Sequence, residues 1–144
     1  MSANSRLTIA VHVLAWMALD RQQNKVATSD RIAVSVNTNP VVIRRCLSEL
    51  REGGLVQVKR GGGAGWSLAR EPEEITLLDV HSAVESGNRF GLHHSPPNQD
   101  CPIGFGIRPT LTKVYDELEE QIHQVLARTT IADVLADVLA QQKN

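Results

Sequence analysis

Between Arg60 and Trp66 the chain reads Gly61, Gly62, Gly63, Ala64, Gly65, a run too rich in glycine to lie inside a helix or a paired strand. On one side Leu55 to Lys59 alternates apolar and polar residues, and on the other Trp66 to Leu68 forms a second short strand-like run. The segment therefore predicts a β-hairpin with a glycine tip. A phosphate-binding P-loop is excluded, because no Gly-Lys-Ser/Thr follows and the run leads into a strand rather than a helix.

Three helices are expected before the hairpin. From Leu7 to Leu19 apolar residues recur at three- and four-residue steps, the period of an amphipathic helix. After the polar stretch Asp20 to Lys25, Ser29 and Asp30 offer a cap for a short helix through Val34. Ser35 to Thr38 is a tight connector. Asn39 then caps a third helix with Pro40 at its first position, and Gly53 and Gly54 mark its end, where a left-handed cap is cheap.

Beyond the hairpin a helix is expected from about Leu77 to Glu85, followed by a loop of unusual length, Ser86 to Gly106. From Ile107 onward Leu111, Val114, Leu118, Ile122 and Val125 define one apolar stripe along a long helix, with Asp116, Glu117, Glu119 and Glu120 on its other faces. Such a stripe either packs back on its own domain or pairs with the same helix of a second chain across a two-fold axis; pairing is the economical solution. Leu111, Val114, Leu118 and Ile122 are the candidate dimer interface. Thr130, with Asp133 three residues on, can open a short final helix.

Charge is unevenly placed. Residues 1–70 hold ten Lys/Arg against four Asp/Glu, a balance of +6, while residues 71–144 hold five against twelve, a balance of -7. A basic half suits a polyanion, although two ordinary solvated surfaces would look the same. No apolar run approaches the roughly 20 residues needed to cross a bilayer, and the start lacks signal-peptide features, so a cytoplasmic protein without a membrane partner is expected. Two cysteines, Cys46 and Cys101, are too few for a disulfide scaffold.

Three short helices followed by a glycine-tipped hairpin make a winged helix-turn-helix, mainly α with a small β-wing, whose third helix enters the major groove of double-stranded DNA. At about 100° per residue, Ile43, Cys46, Leu47 and Leu50 share one face of that helix, and Val41, Arg45 and Ser48 the opposite one. An outward arginine and a small apolar side chain are groups that read base edges: a guanidinium pairs with guanine and the apolar group meets a thymine methyl. Arg44, on the flank, suits a phosphate. Lys59 and Arg60 stand at the wing, where glycine lets backbone approach DNA closely. Adjacent arginines on a helix are also commonly just solvated. The candidate DNA-binding set is Thr38, Asn39, Pro40, Val41, Arg44, Arg45, Ser48, Lys59, Arg60 and Gly61.

Residues 6–85 resemble the Rrf2 family of bacterial winged-helix regulators, to which IscR, NsrR and CymR belong. The matching stretches are RLTIAVHVL, NPVVIRRCLSELREGGLV, KRGGGAGWSLAR and PEEITLLDVHSAVE, in order and at the right spacing. Trp66 and Ala64 depart from the usual tyrosine and glycine. The resemblance implies a homodimer clasped by the long helix and DNA contacts from helix 3 and the wing. Cluster-binding members carry three cysteines in the loop before the long helix, whereas this loop has only Cys101, so it looks most like the cluster-free members with a single loop cysteine. No cofactor or metal is assigned, although His93, His94, Asp100 and Cys101 offer suitable ligand types.

The resulting expectation is a transcription regulator, a repressor on a pseudo-palindromic operator, with Cys101 as a redox sensor. The alternative is a regulator responding to a metal, cluster or small ligand near the loop. Residues 1–86 would form the DNA-binding domain, 87–106 the sensor loop, and 107–144 the dimerisation and final helices. Cys46, on the inward face of helix 3, is expected to be a buried thiol. His93, His94 and Arg108 would lower the Cys101 thiol and Asp100 would raise it. An enzyme using Cys101 as nucleophile with His93 or His94 as base finds no oxyanion hole or substrate pocket in the pattern.

Overall fold

A computed structural model of the chain describes residues 4–60, 65–85, 87 and 89–142. It forms two compact units: a head, built from the residues up to Glu85 together with those from Leu126 onward, and an inserted unit, Gly87–Val125.

The head begins with α1 (Arg6–Gln22), α2 (Ser29–Val36) and α3 (Pro40–Glu52). Their apolar stripes meet in one core: Val13, Leu14 and Met17 of α1, Ile32 of α2, and Ile43, Leu47 and Leu50 of α3 are buried. Each such side chain contributes on the order of 1.5–3 kcal/mol. The cap of α2 is Thr28, one residue earlier than the sequence placed it, its hydroxyl accepting from the Arg31 N–H at 3.3 Å. Thr28 is extended while Ser29 and Asp30 are already helical, which is why the earlier residue caps. Asp20, buried at the end of α1, accepts from both terminal nitrogens of Arg31 at 3.1 and 3.3 Å, so the burial of its carboxylate is compensated and α1 is tied to α2.

After α3 the chain turns through Gly54, which takes φ +77°, a conformation costly for other residues. Strands β1 (Val56–Lys59) and β2 (Gly65–Leu68) pair antiparallel, with Val56 opposite Leu68 and Lys59 opposite Gly65. Ala27 adds a one-residue third strand by bridging to Trp66, whose N–H donates to the Ala27 carbonyl at 2.9 Å. A Cβ on Gly65 would lie 2.5 Å from that carbonyl, so glycine is what lets the two chains close.

A short 3-10 turn (Pro72–Glu74) leads to α4 (Leu77–Val84), and the head is completed by α6 (Ile131–Gln141). Both helices open with a capping box. Thr76 pairs with Asp79 at 3.1 and 3.0 Å, and Thr130 with Asp133 at 3.1 and 2.9 Å. The two caps are joined: Leu77 N–H donates to the Thr129 carbonyl and Ile131 N–H to the Ile75 carbonyl, each at 2.9 Å. Ile131 and Leu135 of α6 are buried in the head core. The sequence grouped this final helix with the long one, because periodicity reveals an apolar face but not what it packs against.

The inserted unit is a loop followed by α5 (Pro102–Ala127). The helix starts five residues before the expected Ile107, and Pro109 lies inside it. Among its 26 residues none is buried. No helix among the described residues is long and apolar enough to cross a membrane.

Candidate nucleic-acid interface

Asn39 and Pro40 set the start of α3. The Asn39 Oδ1 accepts from the Val41 N–H at 2.8 Å, and proline occupies the first turn without losing a needed donor. The cap uses the amide oxygen, so the Asn39 N–H2 group stays free to donate to another contact. The α2–α3 turn passes through Asn37 at φ 63° and is closed by the Thr38 N–H on the Ala33 carbonyl at 3.1 Å. Thr38 and Pro40 are half-buried there.

The face of α3 opposite the core is the one read from the sequence. Val41, Arg44, Arg45 and Ser48 are exposed, while Ile43, Cys46, Leu47 and Leu50 point inward. Val41 is 51% exposed, so its methyl groups are open to a partner on this face. Lys59 and Arg60, on the first arm of the wing, are also exposed. Gly61, with Gly62, Gly63 and Ala64, lies outside the described residues.

Four arginines of the head are held in ion pairs. Arg6 donates to both Glu49 oxygens at 2.6 Å, Arg21 pairs with Glu71 at 2.7 Å, Arg31 with Asp20 and Arg70 with Asp79. Arg44, Arg45, Lys59 and Arg60 form no ion pair among the described residues. Together they place four unpaired cations on the outward face of α3 and on the wing, which suits a polyanion.

Cys46 is buried on the inner face of α3, as expected. Burial first, and the nearby Glu49 second, push its thiol up to about 11. Cys101 is half-buried immediately before Pro102, the first residue of α5, and its thiol is lowered by the N–H groups of Gly104 and then Ile103. His93, His94, Arg108 and Asp100 do not figure among these causes; the free donors of a helix start act instead. The sequence missed this because it began the helix at Ile107, leaving Cys101 in open loop. The Asn98 to Cys101 turn is ordered, with the Asp100 N–H on Asn98 Oδ1 at 2.9 Å and the Cys101 N–H on the Asn98 carbonyl at 3.3 Å. Gly104 lets that carbonyl approach where a Cβ would collide.

The rings of His93 and His94 lie 4.8 Å apart, but no group of three or more His, Cys, Asp or Glu is gathered for a metal among the described residues. One loop thiolate likewise does not fit an iron–sulfur cluster, which needs four ligands.

Comparison with known proteins gives these features a family. Residues 3–137 match the profile Rrf2, described as "Iron-dependent Transcriptional regulator". YwnA of Bacillus subtilis (strain 168), named among the HTH-type transcriptional regulators, is 36% identical over 132 residues, covering 92% of this chain and 96% of that protein. The solved structure of T. potens IscR superposes with a TM-score of 0.72 at 22% identity, covering 96% of this chain and 88% of that one. That of CymR, the global cysteine regulator of B. subtilis, gives 0.66 at 20%, covering 94% and 97%. At these identities the two structures speak for the fold alone. The family description names iron, yet no group of three or more suitable donors is gathered among the described residues. Taken with the winged helix and its uncompensated basic face, the match over nearly the whole chain shows that this protein belongs to the Rrf2 family of DNA-binding transcription regulators and is not an enzyme.

Proposed function

We propose that the chain is a cytoplasmic repressor that binds a pseudo-palindromic operator as a homodimer, with α3 reading bases and the wing gripping the backbone. The observation that carries the reading head is the outward set Val41, Arg44, Arg45 and Ser48 on a helix whose other face is buried, joined by Lys59 and Arg60. Arg45 reads a guanine edge, Val41 meets a thymine methyl, and Arg44, Lys59 and Arg60 take phosphates or the minor groove. Thr38, Asn39 and Pro40 bring backbone close to the DNA at the start of α3, and Gly61, outside the described residues, belongs to the same proposed set. Residues 1–86 carry this work, 87–106 the sensing, and the long helix the pairing.

Dimerisation is supported by α5, which has no buried residue, with Val114 47% and Leu118 40% exposed and Leu111 and Ile122 half-buried. An apolar stripe of that kind needs a second surface. Cys101 supplies the switch. Its thiolate attacks a peroxide oxygen, the O–O bond breaks, sulfenic acid forms at sulfur and hydroxide leaves, so sulfur loses two electrons and the peroxide gains them. Because Sγ accepts N–H groups of the first turn of α5, adding an oxygen there disturbs the start of the pairing helix.

Operator affinity tests both parts. After selecting bound genomic fragments, Arg45→Ala is expected to cost about 1–3 kcal/mol and relax one base position per half-site, and Arg60→Ala to flatten the salt slope by about one unit. Peroxide is expected to weaken the wild type and not Cys101→Ser. Unchanged affinity and salt dependence in both arginine variants would refute the reading head; an equal peroxide response in Cys101→Ser would refute the switch. A second reading, a small ligand held near the loop, is favoured by a hollow in the inserted unit.

A further inference from the structure

In the inserted unit the loop before α5 and the first half of that helix enclose a half-open hollow of about 170 Å³. That is below the roughly 300 Å³ at which pockets for drug-sized molecules begin, so its natural size of occupant is a small metabolite. Leu92, Pro97, Ile107 and Leu111 make its apolar wall. Tyr115, which stacks on Phe90 with ring centroids 5.4 Å apart, and His93 add polar edges.

The remaining wall is Arg108. Its Nη2 donates to the carbonyls of His93 at 2.7 Å and Ser95 at 3.1 Å, while its Nε is buried without an acceptor. No carboxylate forms an ion pair with this guanidinium among the described residues. Carbonyl dipoles orient the group but leave a full positive charge uncompensated in a partly desolvated place, which is costly. Both Nη2 hydrogens are taken by those carbonyls, which leaves the Nη1 group to donate, and a carboxylate is the anion that suits one such group and a single positive charge. A dianionic phosphate would bring more charge than one arginine meets, and it would have no use for the apolar wall.

We infer that this hollow is a binding site for a small monocarboxylate with a short apolar body, its carboxylate on Arg108 and its tail against Ile107 and Leu111. The inference deepens the second reading above, naming the ligand class and the residue that selects it. Arg108 fastens the His93 to Ser95 stretch to α5, so a ligand sharing that guanidinium acts on the segment that leads to Cys101.

The test is calorimetry and thermal melting of the full chain with butanoate, and with butanol, phosphate and sulfate as controls, followed by operator binding in the presence of butanoate. Butanoate is expected to bind and raise the melting temperature, whereas butanol, phosphate and sulfate do neither. Arg108→Gln weakens butanoate binding by about tenfold or more. Arg108→Lys keeps the charge and the helical circular dichroism but lacks the planar group that holds both carbonyls and a ligand at once, and it binds several-fold more weakly. The site is overturned if butanoate does not bind at about 10 mM, if phosphate binds equally, or if Arg108→Lys binds as the wild type does. Dissociation of the oligomer by both variants, without butanoate binding by the wild type, would make Arg108 a subunit contact and overturn it as well. Binding without a change in operator affinity upholds the site and overturns only the effector role.

Discussion

Two cysteines with opposite surroundings make a direct test at the scale of single residues. Cys46 is buried and its thiol is pushed up to about 11, while Cys101 is lowered by the N–H groups at the start of α5. Iodoacetamide is therefore expected to label Cys101 at least about tenfold faster than Cys46 at neutral pH. The Cys101 rate should rise at a pH below the ordinary 9.0 of a thiol, and Cys46 should react only near 11 or on unfolding. Peptide mass spectrometry across a pH series reads both; equal rates would contradict the assignment. The same shift bears on stability. The unfolded chain loses the Cys46 proton near 9.0 and the folded chain near 11, so stability present below pH 9 is lost as pH rises through that window.

At the scale of elements, the caps decide where helices begin, and they were the most legible signals. Asn39 with Pro40 and Thr130 with Asp133 were read in place, because an N-cap needs only a short polar side chain before the first apolar turn. The start of α5 was not legible: Pro102, Gly104, Gly106 and Pro109 look like loop chemistry, yet Pro102 and Gly104 are tolerated in the first turn, and Gly106 and Pro109 are carried inside the helix. The Ala27–Trp66 bridge was equally invisible, since a single pair leaves no alternation to detect. Of the candidate interface, the α3 face followed from helical geometry alone, whereas the carbonyl anchors of Arg108 depend on how a loop folds back and have no sequence period. The Thr130 cap also joins α6 to α4, so Thr130→Ala is expected to cost about 1 kcal/mol, read as a lower denaturant midpoint with an unchanged slope. A variant as stable as the wild type would show that the Thr129 and Ile131 backbone bonds hold the junction alone.

The whole molecule places Arg44, Arg45, Lys59 and Arg60 on the head, and Asp116, Glu117, Glu119 and Glu120 on α5. Helix α5, about 39 Å long, presents its stripe to solvent. Leu118→Glu puts a charge in the middle of that stripe and is expected to convert a dimer to a monomer in light scattering. Operator affinity then falls steeply, because two half-sites are no longer engaged together. A wild-type monomer, or a Leu118→Glu dimer, would exclude this interface. The return of α6 to the head has a further consequence, in the order of synthesis. Ile131 and Leu135 complete a core begun by α1, yet the ribosome makes them only after the entire inserted unit. The head cannot close around Ile75 and Val80 until those last side chains emerge, so a chain interrupted within α5 leaves an open core and is a target for proteolysis rather than a half-working operator binder.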